Sequence, residues 1–111
     1  MKLIFTTGYN SSDDEITKFK GHRSDIILID NDGCHYELHF VTLERLALDL
    51  KYSVDNGKKY FTHVCLIILE EVTKDEILNC VKDLAAINYF KRFTPIEKSD
   101  PQKEWTEFSL L

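Results

Sequence analysis

Val64-Cys65-Leu66-Ile67-Ile68-Leu69 is an apolar run with no polar interruption, and Glu70-Glu71-Val72-Thr73 follows it directly. Six consecutive apolar residues leave no polar face, and a strand of that kind is covered on both sides. A strand over Tyr60 to Leu69 is therefore expected in the middle of a sheet. Thr73 and Glu76 next to it have the spacing of a capping box, with Val72 and Ile77 placed as a hydrophobic staple. Ile77, Leu78, Val81, Leu84 and Ala85 then fall on one helical face, and that helix is expected to end near Asn88.

Upstream, Thr42 opens another helix, with Val41 and Leu46 as its staple. Leu43, Leu46, Ala47, Leu50 and Val54 have the spacing of one buried stripe. Asn56-Gly57 is a stop signal, since glycine suits the left-handed position after a helix, and Lys58 and Lys59 complement the negative end of the dipole. Before that helix, Ile26-Ile27-Leu28-Ile29 is short and strongly β-branched. Asn31-Asp32-Gly33 marks a tight turn. From Cys34 the chain alternates: Cys34, Tyr36, Leu38 and Phe40 point one way, and His35, Glu37 and His39 the other. A two-residue turn would set Ile29 opposite Tyr36 and Ile27 opposite Leu38. A strand–helix–strand succession after Cys34 implies a parallel pairing if both strands share a sheet.

At the N-terminal end, Leu3 to Thr7 reads as a short strand and Gly8 to Asp14 as an exposed loop. Glu15 to Lys20 suits an edge strand or a helical turn, broken by Gly21. At the other end, Phe90 to Ile96 is expected as a last strand and Lys98 to Gln102 as a linker. Trp105, Phe108, Leu110 and Leu111 then form an apolar tail that docks on the core or anchors a partner. The expected architecture is α/β in the α+β sense. It is a single domain over 1–111, with 98–111 as an appended tail. A mixed sheet with an antiparallel hairpin and two helices makes a two-layer sandwich, its other sheet face partly open.

The 111 residues suit one core. A formal net charge of −5 argues against nucleic acid, whose phosphates call for clustered Lys and Arg. Cys34, Cys65 and Cys80 are odd in number, widely spaced and set in apolar patterns, so reduced, inert thiols are expected. No apolar run approaches membrane-spanning length and the N-terminus lacks the form of a signal peptide, so a cytoplasmic location is expected.

His35, Glu37 and His39 share one strand face and invite a metal reading. Alternate residues on a strand stand roughly 7 Å apart, whereas zinc needs ligands at about 2 Å, so a third ligand such as His63 would have to come from elsewhere. An open polar sheet face suits protein binding better. Glu70 and Glu71 lie at the end of a strand, where open α/β sheets commonly bind ligands, with Asp75 and Glu76 in the next turn. There they also simply complement a helix dipole. No glycine-rich phosphate loop follows, and no local signature supports a Cys/His nucleophile.

Two segments carry a resemblance: Thr42-Leu43-Glu44-Arg45-Leu46 through Asn56-Gly57-Lys58-Lys59-Tyr60-Phe61, and Leu66-Ile67-Ile68-Leu69-Glu70-Glu71-Val72-Thr73 through Asn88-Tyr89-Phe90. They resemble small bacterial α/β proteins, some of them immunity proteins of polymorphic toxin systems. The likeness spans about the middle half of the chain. It implies a non-catalytic protein that binds and blocks one cognate toxin in the cytoplasm. No cofactor and no metal are expected. The partner would be a protein, plausibly a basic toxin domain, whose approach an acidic surface speeds. A small metal-binding or hydrolytic enzyme and a homo-oligomeric module are the alternatives. The residues expected to be exposed and to meet a partner are His35, Glu37, His39, Glu70, Glu71, Asp13 and Asp14.

Overall fold

The computed structural model describes residues 1–110. Its centre is the antiparallel pair of β2 (His22–Ile29) and β3 (His35–Val41), which runs from Ile29↔His35 to His22↔Val41 with one irregularity between Arg23 and Ile26. β1 (Lys2–Phe5) adds antiparallel to β2, β5 (Thr106–Ser109) antiparallel to β1, and β4 (Leu66–Ile68) parallel to β3. The mixed sheet has the order β4-β3-β2-β1-β5. It confirms the α/β class, the hairpin and the parallel pair joined through a helix.

Three expectations are corrected. The apolar run is not central: β4 is three residues long and lies at the edge of the sheet. Its burial alternates, with Cys65 and Ile67 turned into the core and Val64 and Ile68 exposed. The hairpin register is one residue away from that of a two-residue turn, with Leu28 opposite Tyr36 and Ile26 opposite Leu38. The Asp30 carboxylate is the cause. It accepts the N–H groups of Asp32 and Cys34, both at 2.9 Å, and lengthens the connection. Finally, the stretch after Phe90 is not a strand. Tyr89–Arg92 forms a 3-10 turn, and beyond it Ile96 makes a single bridge to His35.

The tail docks on the chain's own sheet as β5; Leu111 lies outside the described residues. Glu15–Lys20 proves to be part of a third helix, α1 (Asp13–Lys20), with three acids in its first turn and Gly21 in the left-handed conformation at its end. α2 (Leu43–Asp55) and α3 (Lys74–Ala86) start where their caps place them: Thr42 accepts from the Arg45 N–H and Thr73 from the Glu76 N–H.

The main core lies on one sheet face. Leu3, Phe5, Ile26, Leu28, Tyr36, Leu38 and Phe40 pack there with Ile77 and Val81 of α3, and with Phe90. The opposite face is covered too, against expectation, for Ile4, Ile27 and Val41 are buried outside that cluster.

Gly21 joins two elements. Its φ is +71°, and a Cβ there would stand 2.8 Å from the capping hydroxyl of Thr42 and 3.1 Å from the Arg45 Cβ. Gly21→Ala is therefore expected to cost about 1–3 kcal/mol, measured by urea unfolding. Gly57 is the control, since it has φ +90° but open space where a Cβ would go, so Gly57→Ala should cost less.

Candidate protein-interaction site

α2 has the pattern of a helix that covers a core, yet none of its residues is fully buried. The stripe of Leu43, Leu46, Ala47, Leu50 and Val54 is not the buried stripe expected. Leu43 is 68% exposed, and Leu50 and Val54 are exposed as well. Beside the first turn of α2 lie the end of α1, where Phe19 is 93% exposed, and the end of β4, where Ile68 is 49% exposed. Together they border an open groove of about 860 Å³.

The exposed apolar side chains that line the groove are Phe19, Leu43, Leu48 and Ile68. Its rim carries both signs: Lys18, Lys20 and Arg45 against Glu44, Glu70 and Glu71. Lys18 reaches Glu71 at 3.4 Å across the groove. Arg45 is held by Asp49 at 3.0 Å, one turn along α2, and donates to the Lys20 carbonyl at 3.3 Å. Exposed apolar side chains gathered in one groove among charged ones are a feature of docking sites.

The residues singled out from sequence fall in three places. Glu70 and Glu71 are exposed and line the groove. Asp13 and Asp14 sit at the start of α1 with intermediate burial, and both are engaged internally. Asp13 accepts from the Asn10 N–H at 2.7 Å. Asp14 accepts from the Lys74 N–H at 2.9 Å, at the start of α3, and from the Tyr9 hydroxyl. His35, Glu37 and His39 share the face opposite the main core, as the alternation requires, but that face is not open. His35 and His39 are buried, at 6% and 7% exposure, and Glu37 is half-buried. The expected exposure of the two histidines is thus corrected. Ile96 bridges to His35, and the 57–65 segment brings Phe61 and His63 over His39.

The structure does bring His63 to His39, with ring centroids 4.2 Å apart, and His22 lies 6.2 Å away on the other side. Burial, with the His63 and His22 rings adding to it, holds the His39 imidazole down to a pKa of about 4. Burial and the charge of Arg45 push His22 down as well. Among the described residues no group of three or more His, Cys, Asp or Glu side chains is placed to hold a metal ion. Cys65 is buried and its thiol is pushed up to about 11 by burial, with Cys80 nearby adding to it, so it is not a ready nucleophile. No helix is long and apolar enough to cross a membrane among the described residues.

Leu43 and Ile68 escape notice as site residues because each sits in a pattern that normally reads as core, the α2 stripe and the apolar run; Phe19 and Leu48 stand outside those patterns and carry no sequence signal of their own. No protein-family model matches this chain, and comparison with curated proteins and with solved structures found no match.

Proposed function

We propose that this chain is a non-catalytic binding module that docks one partner protein in the groove between the end of α1, the start of α2 and the end of β4. The observation that carries this reading is a groove lined by exposed apolar side chains, Phe19, Leu43, Leu48 and Ile68, among charges of both signs. The resemblance of the α2 and β4–α3 segments to immunity proteins extends it. The module would block a cognate toxin domain in the cytoplasm. The net charge of −5 speeds association with a basic domain, and Glu44, Glu70 and Glu71 offer it carboxylates at the rim.

Capture by the tagged chain, run beside the Leu43→Asp and Ile68→Asp variants, tests the reading. Both side chains are already exposed, so circular dichroism should be unchanged. Each variant is expected to weaken a captured partner by about 2 kcal/mol, roughly thirtyfold. Glu70→Gln should chiefly slow association and reduce its salt dependence. A partner held equally well by all the variants would remove the groove from the reading. The toxin reading needs one further result: co-expression of this chain must rescue cells from that partner's toxicity. The free edge of β4 favours one competing outcome, pairing with a second copy, which sedimentation would show as a dimer of the pure chain.

A further inference from the structure

Both ring nitrogens of His39 are buried and have no hydrogen-bond partner among the described residues. Buried polar groups are nearly always satisfied, so such an exception calls for a physical account. As a neutral ring His39 loses a modest amount by being unpartnered. As an imidazolium it would carry two N–H donors and a full charge with no acceptor in contact.

The surroundings make that charge worse on nearly every side. His63 faces it from the 57–65 segment and His22 from β2. Arg45 of α2 adds positive charge; Asp49 of α2 is a nearby carboxylate, occupied by Arg45 at 3.0 Å, and Glu37 and His35 share the same face of β3 itself. Lys20 at the end of α1 stands near His22. Leu66 of β4, the register partner of His39, and Phe61 above it bring no charge.

Of these elements, the 57–65 segment is the one least tied down. It is neither helix nor strand. Its backbone hydrogen bonds lie at its two ends, from Gly57 and Lys58 back to α2 and from the His39 N–H to the Cys65 carbonyl at 3.2 Å. Cys65 itself is held at φ +48°, a sparsely populated conformation for a residue with a side chain. Lys58, Lys59 and Tyr60 are exposed, and Phe61 and His63 are only partly buried.

We propose that His39 is an acid-triggered release for the 57–65 segment: when the ring takes a proton from solvent, repulsion from His63 and the need to hydrate two N–H groups lift Phe61 and His63 off the sheet. The neutral ring persists well below the ordinary histidine range, so the segment stays closed at neutral pH. Because the segment joins the end of α2 to the start of β4, its release loosens the connection between two elements that line the groove.

The test follows the free wild-type chain by nuclear magnetic resonance from about pH 7.5 to pH 4. The imidazole carbon-bound protons report the charge on His39. Nuclear Overhauser contacts from the His39 ring to the Phe61 and His63 rings report closure. The expected result is loss of those contacts with the same midpoint as His39 protonation, displaced below that of an ordinary histidine. In His39→Phe, which keeps an apolar ring of similar size, the backbone amides of 57–65 should show no transition over that range. Contacts that survive protonation of His39 overturn the proposal, as does a segment transition that persists in His39→Phe. The wild-type result decides the matter even if that variant does not fold. No partner enters the measurement, so its outcome is independent of the binding reading.

Discussion

Arg23→Met is expected to destabilise the fold by about 3 kcal/mol, the range for removing one member of a largely buried ion pair. Arg23 emerges from β2 with only 13% of its side chain exposed and donates to four groups at once, the Thr7 hydroxyl at 3.5 Å the most distant of them. It donates to the Gly8 carbonyl at 2.7 Å and to the Asp25 carboxylate at 2.8 Å, with weaker reach to the Thr17 hydroxyl at 3.3 Å. Its guanidinium also stacks 5.1 Å from the Phe5 ring centre and 5.0 Å from that of Tyr9. Burial alone would raise the Asp25 carboxyl, but hydrogen bonds from Arg23 and Thr7 outweigh it and hold the group below its ordinary value. Methionine keeps the apolar stem, so the loss reports the charge and the donors rather than the packing. Urea unfolding of Arg23→Met, Asp25→Asn and the double variant forms the cycle. The double variant should lose clearly less than the sum of the singles, because each single leaves a charge or a carbonyl unpaired. Strict additivity would show that the two side chains do not act together.

Most of the fold could be read from local signals because those signals have local causes. Thr42 and Thr73 cap α2 and α3 through their own side chains, each accepting from the backbone N–H three residues along the chain. The alternation from Cys34 to Phe40 sorts residues between sheet faces whatever lies beyond them. What was misread depended on longer range. Nothing in Leu66-Ile67-Ile68 states how many strands lie outside it; an edge strand whose outward residues are apolar has the same composition as a central one. The His35–Glu37–His39 face reads as polar and solvated by composition. It is buried because Ile96 and the 57–65 segment, remote in sequence, come back over it.

The site was hidden for the same reason. A periodic apolar stripe predicts burial only if something arrives to cover it, and among the described residues α2 has none that is fully buried. Its Leu43 and Leu48, with Ile68 from the supposed central strand, are left exposed instead. Glu70 and Glu71 were found because their reason was positional: they follow a strand end, and strand ends border grooves. Asp13 and Asp14 were chosen as loop acids, but they are tied to α1 and, through Asp14, to the first turn of α3. Charge alone does not distinguish an acid that waits for a partner from one that already has an internal donor.

Stability should fall by about 3 kcal/mol as pH drops from the ordinary histidine range toward pH 4, because of His39. The sign follows from proton counts. Above about pH 6.5 neither the folded nor the unfolded chain protonates His39, so the residue contributes no pH dependence there. Between that value and about 4 the unfolded chain takes up the proton and the folded chain does not, so lowering the pH favours unfolding. Below the folded value both forms are protonated and the loss stops growing. His22, also pushed down, adds a smaller part in the same direction. Asp25 and Asp30, whose carboxyls are held low, act in the same sense but only below their ordinary value near pH 4, so their part begins where that of His39 ends. Urea unfolding at about pH 7.5 and pH 4.5 separates the contributions. The wild-type chain should lose most of the stated amount between them, and His39→Phe only the part due to His22. Comparing each protein with itself at the two pH values removes any packing cost of the substitution, which is the same at both. An equal loss in the variant would place the proton uptake elsewhere and leave His39 as a ring whose burial has no acid consequence.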